Sequence, residues 1–473
     1  MLSVSTPRAA SLTSCLSAAL LLVGCQAPGR SHGITNLDVA ISEVVGSVVE
    51  LAWQTDQPGQ SWVEFGLDEG RSLTTPVIVD PTGVHRAQLL GLPTLRTVYY
   101  EVFTQVGEDL LSEQGEILTE GLPPGFPDIQ ANAHDASAIS DEPYMLVGLI
   151  GAENFVAVLD RKGEVLWCMP VPLGVNRMLP MSVDFDPGLD RVVVGNFFMD
   201  FITLVAEDQP PSSEALGFGA SGGQLETMDL GVAHHELVQL PDGSMATLGI
   251  DVRDWYDPDR DEEIPVMGDT LVLVAPDGSR TELFNTWDWR EPEVHDRFYQ
   301  ISDDYGDWTH GNGLSYHVES DTFLMSLGLV DTVLEIDGAT GDVLREFGPH
   351  GYTVPQGVGA AFSYQHGPHW TDEGSLLMSS WVDGQSRVMA IEYSVDDDSE
   401  SLTKLWSYGE NEGFTSIAGG QALRVNNGNT VLNTGYRGLL VEISPDHEPV
   451  WEMSSSMGHV FVSLSFFDDF YAR

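Results

Sequence analysis

Hydrophobic and polar residues alternate with a period of two along residues 34–120, which is the pattern of β-strands that bury one face. Val49, Leu51 and Trp53 fall on one face of such a strand. Turn-forming residues recur about every ten positions, a spacing typical of short antiparallel strands in a sandwich. Few apolar stretches in the chain follow a helical period, so the pattern predicts an all-β protein.

The rest of the chain repeats one layout, in which a polar residue precedes a turn glycine and a short apolar run. His235 lies eight residues before Gly243, and His366 lies eight residues before Gly374. His310 heads a further copy, with a longer connection before its apolar run. Repeats of this kind indicate a closed or stacked β architecture.

Six such units are predicted from about residue 140 onward, each able to supply the four strands of a propeller blade. Closing the blades into a ring protects sheet edges that would otherwise promote aggregation. The predicted fold is therefore all-β, with an N-terminal β-sandwich followed by a six-bladed β-propeller. The segment Asp208–Leu230 is rich in Gly and Ser and is predicted to be a loop between the second and third units.

Composition divides the chain into five parts. They are a secretory signal (residues 1–24), a tether (25–33), the sandwich (34–120), a Pro/Gly-rich linker (121–135) and the propeller (136–473). Within the sandwich, the segments VVELAWQTDQPGQSWVEFG and GVHRAQLLGLPTLRTVYYEVFT resemble a fibronectin type III-like module. Such a resemblance implies a spacer or a docking face.

The N-terminus has one positive charge, Arg8, followed by an apolar run that is too short to span a bilayer. It ends in Leu-Val-Gly before Cys25, which resembles a bacterial lipobox. That resemblance implies cleavage before Cys25, a lipid on its sulfur, and anchoring to the outer membrane. A plain signal peptide with a chance cysteine is the alternative. The expected location is therefore the cell envelope, with the body of the protein in water.

The chain is strongly acidic, with 72 Asp and Glu against 20 Lys and Arg. A surface of this charge excludes nucleic acid as a partner. It is typical of a well-solvated surface suited to a salty habitat. Acidic clusters at Asp254–Glu262 and Asp396–Asp398 are candidate calcium sites, although neither has the spacing of an EF-hand loop. No cofactor is otherwise expected.

Histidines head several of the repeated units, and the strand that begins each blade lines the central channel of a propeller. His235, His310 and His366 should therefore converge at one mouth of the channel. Three imidazoles can bind a metal such as zinc, or act as nucleophile, acid–base groups and hydrogen-bond donors. They can also be ordinary polar residues of the channel wall.

Four motifs taken in order are similar to those of the bacterial arylsulfotransferases (aryl-sulfate sulfotransferases). They are HHELVQLPDG, DWTHGNG, QHG with a following strand, and GGQALRVNNGNT. Members of that family are exported six-bladed propellers with an N-terminal β-sandwich. The resemblance implies transfer of a sulfuryl group from a phenolic sulfate donor to a phenol acceptor, without a nucleotide donor.

The resemblance also implies roles for individual residues. His366 would be the nucleophile that is transiently N-sulfated. His235, His310 and Asn312 would hold the sulfuryl oxygens and take part in proton transfer. His234 is expected beside the substrate or in a structural place, and His369 and Trp370 add an imidazole and an aromatic surface nearby.

Two departures from the family bear on activity. Gly328 stands where the family has an arginine that clamps the sulfate, and Gly367 follows the nucleophile where an acid is usual. Glu236 follows the two histidines where aspartate is usual, which is a milder change. Loss of a bidentate cation should weaken anion binding. Arg387 and Arg437 are the other arginines considered as substitutes, although their places near strand starts or turns favour structural roles.

Three functions remain open from the sequence. The first is an active sulfotransferase for phenolic sulfates. The second is a non-catalytic surface propeller that binds a ligand or a protein partner. The third is a metal-dependent hydrolase or lyase on the same ring, which a stoichiometric metal would indicate. A propeller fold decides nothing among them.

Overall fold

The computed structural model describes residues 33–171, 178–186, 190–199, 212–300, 302–354, 360–382, 386–416, 418–456 and 458–472. The predicted signal peptide and Cys25 lie outside these residues. Most of the described chain is in antiparallel strands, which confirms the all-β class. Among the described residues, no helix combines the length and apolarity needed to cross a bilayer.

The first eight strands form two sheets that face each other. Their order is β1-β2-β6 in one sheet and β4-β3-β7-β8 in the other, with β5 also paired to β3. The apolar face predicted for Val49, Leu51 and Trp53 packs between the sheets. The strands are β1 (Thr35–Ile41), β2 (Val49–Gln54), β3 (Gly59–Gly66), β4 (Leu73–Thr74), β5 (Ile78–Asp80), β6 (Val84–Leu89), β7 (Thr97–Val106) and β8 (Asp109–Leu118).

The remaining strands form six sheets of four or five strands in the described part of the chain. In chain order, the first elements of this part are β9 (Ile129–Ala133), β10 (Tyr144–Ile150), β11 (Asn154–Asp160), β12 (Val165–Val171), β13 (Leu179–Phe185), β14 (Val192–Phe197), β15 (Ser213–Phe218), β16 (Gln224–Gly231), β17 (Ala233–Gln239), β18 (Met245–Asp257), β19 (Glu262–Val274), β20 (Arg280–Asn285), helix α1 (Thr286–Trp289) and β21 (Gly306–Asp307). The later strands are β22 (Gly311–His317), β23 (Thr322–Leu327), β24 (Thr332–Asp337), β25 (Val343–Phe347), β26 (His366–Trp370), β27 (Leu376–Trp381), β28 (Val388–Asp396), β29 (Ser401–Tyr408), β30 (Gln421–Arg424), β31 (Thr430–Asn433), β32 (Leu439–Ile443), β33 (Pro449–Ser455) and β34 (Val460–Phe467).

The sheets are arranged as propeller blades. Strands β13, β17, β22 and β26 contact one another in turn and form the inner edge. Two pairings between distant parts of the propeller close the ring. Strand β34 pairs with β10 and lies innermost in the first sheet. Strand β9 pairs with β33 and lies outermost in the last sheet. The propeller class is confirmed. The number of blades in the whole chain stays a prediction.

One prediction is wrong. The segment Asp208–Leu230 was expected to be a loop, but its described part holds β15 and most of β16. Small side chains pack tightly in β15, where Ser213 and Ala215 are buried. Strand β16 is the outermost strand of its sheet and is mostly exposed, so its polar sequence resembles that of a loop.

The sandwich is packed against the ring. Val45, Val48 and Leu90 of the sandwich join a core cluster built largely from the first two blades. The Ser47 hydroxyl donates to the Leu166 carbonyl at 2.9 Å, which ties the two parts through a buried hydrogen bond.

Candidate functional site

The inner strands begin with irregular pairing, and this aims their first residues at the channel. Register shifts occur between His234 and Leu237 in β17, and between Gly311 and Gly313 in β22. His235 and His310 have positive φ angles of 61° and 50°, a conformation that is uncommon for residues with a Cβ. These bulges break the two-residue alternation at the places where the sequence puts histidines.

The three repeated histidines meet at one cavity of about 210 Å³. The ring centroid of His235 lies 5.2 Å from that of His310 and 6.4 Å from that of His366. Asn312 lines the same cavity. The structure therefore brings together the four residues predicted from the sequence to be catalytic.

His366 is held in its neutral form. Burial lowers the pKa of the imidazole to about 4, and the neighbouring His310 adds to the effect. A hydrogen bond with the backbone of Gly420 acts in the opposite direction and fixes one ring nitrogen. The other nitrogen of a neutral imidazole carries a lone pair, so His366 has the electronic state of a nucleophile.

His310 differs from His366 in that its pKa is raised. Its Nδ1 lies 2.7 Å from the carboxylate of Asp307, which is 1% exposed. Burial lowers the pKa of His310, but the charge and hydrogen bond of Asp307 outweigh it, so the pKa lies above its usual value. His310 therefore holds its proton more readily than an ordinary histidine, which suits it to donate a hydrogen bond in the cavity wall.

His234 lies behind His235 and does not line the cavity. Its Nδ1 is 2.7 Å from Nδ1 of His235, and its Nε2 is 3.1 Å from Asp269. Asp269 also accepts a hydrogen bond from Thr309, the residue before His310. His234 thus orients the His235 ring from outside and does not line the cavity.

Asn312 presents an unused donor. Its Oδ1 accepts a hydrogen bond from Ser326 at 2.7 Å. Its Nδ2 is buried and has no hydrogen-bond partner among the described residues. A Cβ added at Gly328 would lie 2.5 Å from that nitrogen, so only glycine leaves the amide in place. A buried N–H without a partner fits an oxygen atom of a ligand.

Two residues predicted to bind substrate lie elsewhere. His369 lines a second cavity of about 150 Å³. Trp370 lines neither cavity and packs in the blade, with its ring 4.9 Å from the guanidinium of Arg345 and 5.8 Å from the ring of Phe347. Their order on a strand explains the difference, because successive side chains point to opposite faces.

The two cavities adjoin at four shared lining residues. These are Glu236, His366, Gly420 and Val462. Burial raises the pKa of Glu236 to about 8, although a hydrogen bond from Ser182 lowers it. In the sequence, Glu236 stands out only as a replacement for aspartate. Its place between the cavities makes it part of the site.

Two tyrosines complete the wall and were missed. Tyr364 stacks on His310 at 6.3 Å and on Trp381 at 4.2 Å. Tyr436 belongs to a short 3₁₀ helix, Gly435–Arg437, that lines the cavity mouth. A repeat alignment could have found Tyr436, because Gly328–Val330 is the equivalent 3₁₀ helix in an earlier blade.

No lysine or arginine is among the described residues that line either cavity. Arg387 and Arg437 donate to the carbonyls of Glu410 and Gly413 at 2.8 and 3.0 Å. Arg297 approaches the site from behind, where its guanidinium donates to the carbonyl of Gly328 at 3.2 Å. The hydrogen-bond donors that the described residues offer to the cavity are therefore imidazole rings and the Asn312 amide.

Within the part of the chain that the structure describes, no group of three or more His, Cys, Asp or Glu side chains is arranged to hold a metal ion. The acidic clusters have local partners. Asp257 is fully buried, accepts a hydrogen bond from Tyr299 and faces Arg260. Asp396 accepts the backbone N–H of Asp398 at 3.0 Å.

Comparison with known protein families gives a match over part of the chain. Residues 129–354 match the family model described as Arylsulfotransferase (ASST). The matched range contains His235, His310 and Asn312, whereas His366 lies beyond its end. A search of curated proteins finds no significant match.

Solved structures similar to the chain are remote in sequence. A protein of unknown function from Bacteroides caccae is 16% identical, with 70% of this chain and 100% of that chain covered at a TM-score of 0.42. The periplasmic gluconolactonase PpgL of Pseudomonas aeruginosa is 14% identical, with 68% and 98% covered at 0.39. The β-propeller domain of Myceliophteria thermophila Cps50 (Swd1) is 11% identical, with 70% and 97% covered at 0.35.

Proposed function

We propose that this protein transfers a sulfuryl group from a phenolic sulfate to a phenol through His366, and the match of residues 129–354 to the arylsulfotransferase family model supports this proposal. One observation carries the proposal. A neutral imidazole, His366, faces the same small cavity as His235, His310 and the unpaired amide of Asn312.

In the first half of the reaction, the unprotonated nitrogen of His366 attacks the sulfur of the donor. An N–S bond forms while the S–O bond to the aryl oxygen breaks, and the phenolate leaves with the bonding electron pair. The low pKa of His366 supports this role because its lone pair is available throughout the neutral range. The hydrogen bond with Gly420 holds the ring in one tautomer.

The sulfuryl oxygens need donors as charge moves during the transfer. The Asn312 amide nitrogen and the His310 ring, whose pKa is raised by Asp307, supply two in the wall of the same cavity. Donors fixed in a buried site lower the barrier more than donors in water. In this chain they take the place of the arginine that the family has at position 328.

In the second half, the hydroxyl oxygen of an acceptor phenol attacks the sulfur. The N–S bond breaks, the new S–O bond forms, and His366 returns to its neutral state. Both phenols can use the same part of the cavity in turn. Its wall includes Tyr436, Phe461, Met181 and Met199, which suit an aromatic ring.

The proposed setting is the cell envelope. The apolar N-terminal run and the Leu-Val-Gly-Cys25 sequence support export and lipid anchoring to the outer membrane. The reaction as written uses no nucleotide and no metal, so the proposal includes no resident cofactor. The acidic surface keeps nucleic acid away from the protein.

The test measures sulfuryl transfer from 4-nitrophenyl sulfate to phenol by the wild type and by His366→Ala. His134→Ala is the matched control, because His134 is exposed and directly follows the outermost strand β9, where its backbone N–H donates to the Val450 carbonyl. The proposal expects turnover with wild type and control and none with His366→Ala. Mass spectrometry of the quenched enzyme should locate one added sulfuryl group on the peptide that contains His366.

Other outcomes would identify other functions. Aryl sulfate binding without turnover across several acceptors would overturn the enzyme proposal in favour of a binding propeller, which the lack of a cavity-lining arginine in the described residues also favours. Activity that disappears with a chelator and returns with a stoichiometric metal would instead indicate a metal-dependent enzyme.

A further inference from the structure

Glu236 is brought into the channel by an unusual bulge. His234 pairs with Leu248 and Leu237 pairs with Thr247, so two extra residues of β17 lie opposite a continuous stretch of β18. Because the bulge breaks the alternation, His235 and Glu236 both reach the channel. Glu236 lines the cavity that holds the histidines and also the second cavity, and His366 does the same.

Among the described residues that line the two cavities beside Glu236, none is a lysine or arginine that could compensate the charge of its carboxylate. Its own strand presents His235, and β13 presents the hydroxyl of Ser182. Strand β26 presents His366 on one side and His369 in the second cavity. His310 lies across the first cavity, and β34 presents Ser463 in the second. A carboxyl in this setting is more stable with its proton than without it.

The proposed transfer leaves one proton to account for. The departing phenolate must gain a proton in the first half, and the acceptor phenol must lose one in the second. We propose that Glu236 carries this proton, as the acid for the leaving phenol and then as the base for the acceptor. This inference rests on the proposed function.

Over the whole cycle, Glu236 gives up one proton in the first half-reaction and recovers one in the second. The Glu236 carboxyl gives its proton to the phenolate oxygen while the His366 N–S bond forms, and the carboxylate remains. It then takes the hydroxyl proton of the acceptor while the N–S bond breaks. No other co-reactant is needed, and the enzyme returns to its starting state.

The histidines are less suited to the same task. The pKa of His366 is about 4, and one of its nitrogens is engaged by Gly420. The charge and hydrogen bond of Asp307 raise the pKa of His310, which suits that ring to donate a hydrogen bond to the sulfuryl group and not to give up its proton. Burial places the pKa of Glu236 at about 8, close to the range in which acid and base forms can both be used.

The experiment compares donors with good and poor leaving groups. In Glu236→Gln, transfer from phenyl sulfate should fall by about 100-fold or more, because its phenolate needs the acid. Transfer from 4-nitrophenyl sulfate should fall by less than about tenfold in the first half-reaction, since its phenolate leaves without help. A merely structural role would lower both rates equally.

The pH profile gives a second readout. Glu236 is protonated below a pKa of about 8, so the wild-type rate with phenyl sulfate should decline as the pH rises through that value. The decline should be absent in Glu236→Gln. Ser182→Ala is the matched control: it removes the hydrogen bond that lowers the pKa of Glu236, so the decline should move to higher pH.

The failures can be told apart. Equal losses for both donors, or the same pH profile in Glu236→Gln and wild type, would overturn the role of Glu236 and leave the sulfotransferase function intact. A wild type without turnover would overturn both. Thermal unfolding of each variant shows whether a loss of rate comes from a loss of fold.

Discussion

The low pKa of His366 makes a quantitative prediction about activity in mild acid. An ordinary histidine, with a pKa of about 6.5, would be neutral in about 3% of molecules at about pH 5. With a pKa of about 4, about 90% of the molecules are neutral at that pH. The structure therefore predicts roughly a 30-fold greater population of nucleophile, equivalent to about 2 kcal/mol.

The assay is kcat/KM for an aryl sulfate measured over a pH series, because this parameter reports the ionisation of the free enzyme. We expect the acid limb near pH 4. Tyr436→Ala opens the cavity wall to water, and hydration favours the charged imidazole. In that variant the limb should move upward, towards the ordinary value for histidine.

Folding has to be followed in the same samples, for example by circular dichroism. If folded wild type shows its acid limb near the ordinary histidine value, burial does not control His366 and the reasoning is refuted. An unmoved limb in Tyr436→Ala, with its fold intact, would show that access of water at the mouth is not what sets the ionisation.

Three further outcomes are expected. Asp307→Asn removes the charge that raises the pKa of His310, so kcat/KM should fall roughly 10- to 100-fold; an unchanged kcat/KM in a folded variant would contradict the pairing. Gly328→Ala places a Cβ 2.5 Å from the Asn312 amide and should lower kcat/KM roughly 10- to 100-fold with little change in melting temperature, which thermal unfolding checks. Deletion of residues 460–473 exposes the edge of β10, so the product should be aggregated or poorly folded by size-exclusion chromatography, and a monodisperse active product would contradict ring closure.

The alternation of apolar residues and the repeat of histidines predicted much of the molecule. The sandwich core, the all-β propeller and the convergence of His235, His310 and His366 all depend on patterns that a sequence displays directly. The repeat also distinguished His235, which reaches the cavity, from His234, which lies behind it.

The parts that were missed depend on irregular backbone or on exposure. Glu236 reaches the channel because two extra residues bulge from β17, which alternation cannot reveal. The sequence of β16 is polar because that strand is outermost, so it was mistaken for a loop. Trp370 packs into its blade, since proximity in sequence to His369 says little about which face a strand residue occupies.

The closure by β34 makes the cavity wall depend on a segment that is synthesised long after the first blade begins. Strand β34 comes last in the chain, yet it pairs with β10, more than three hundred residues earlier. Its residues Val460, Phe461 and Val462 form part of the wall around His366. A nascent chain that has not yet reached β34, or a chain clipped before it, therefore lacks part of that wall. The cavity is enclosed only once this late strand docks, so the order of the strands couples closure of the ring to formation of the candidate site.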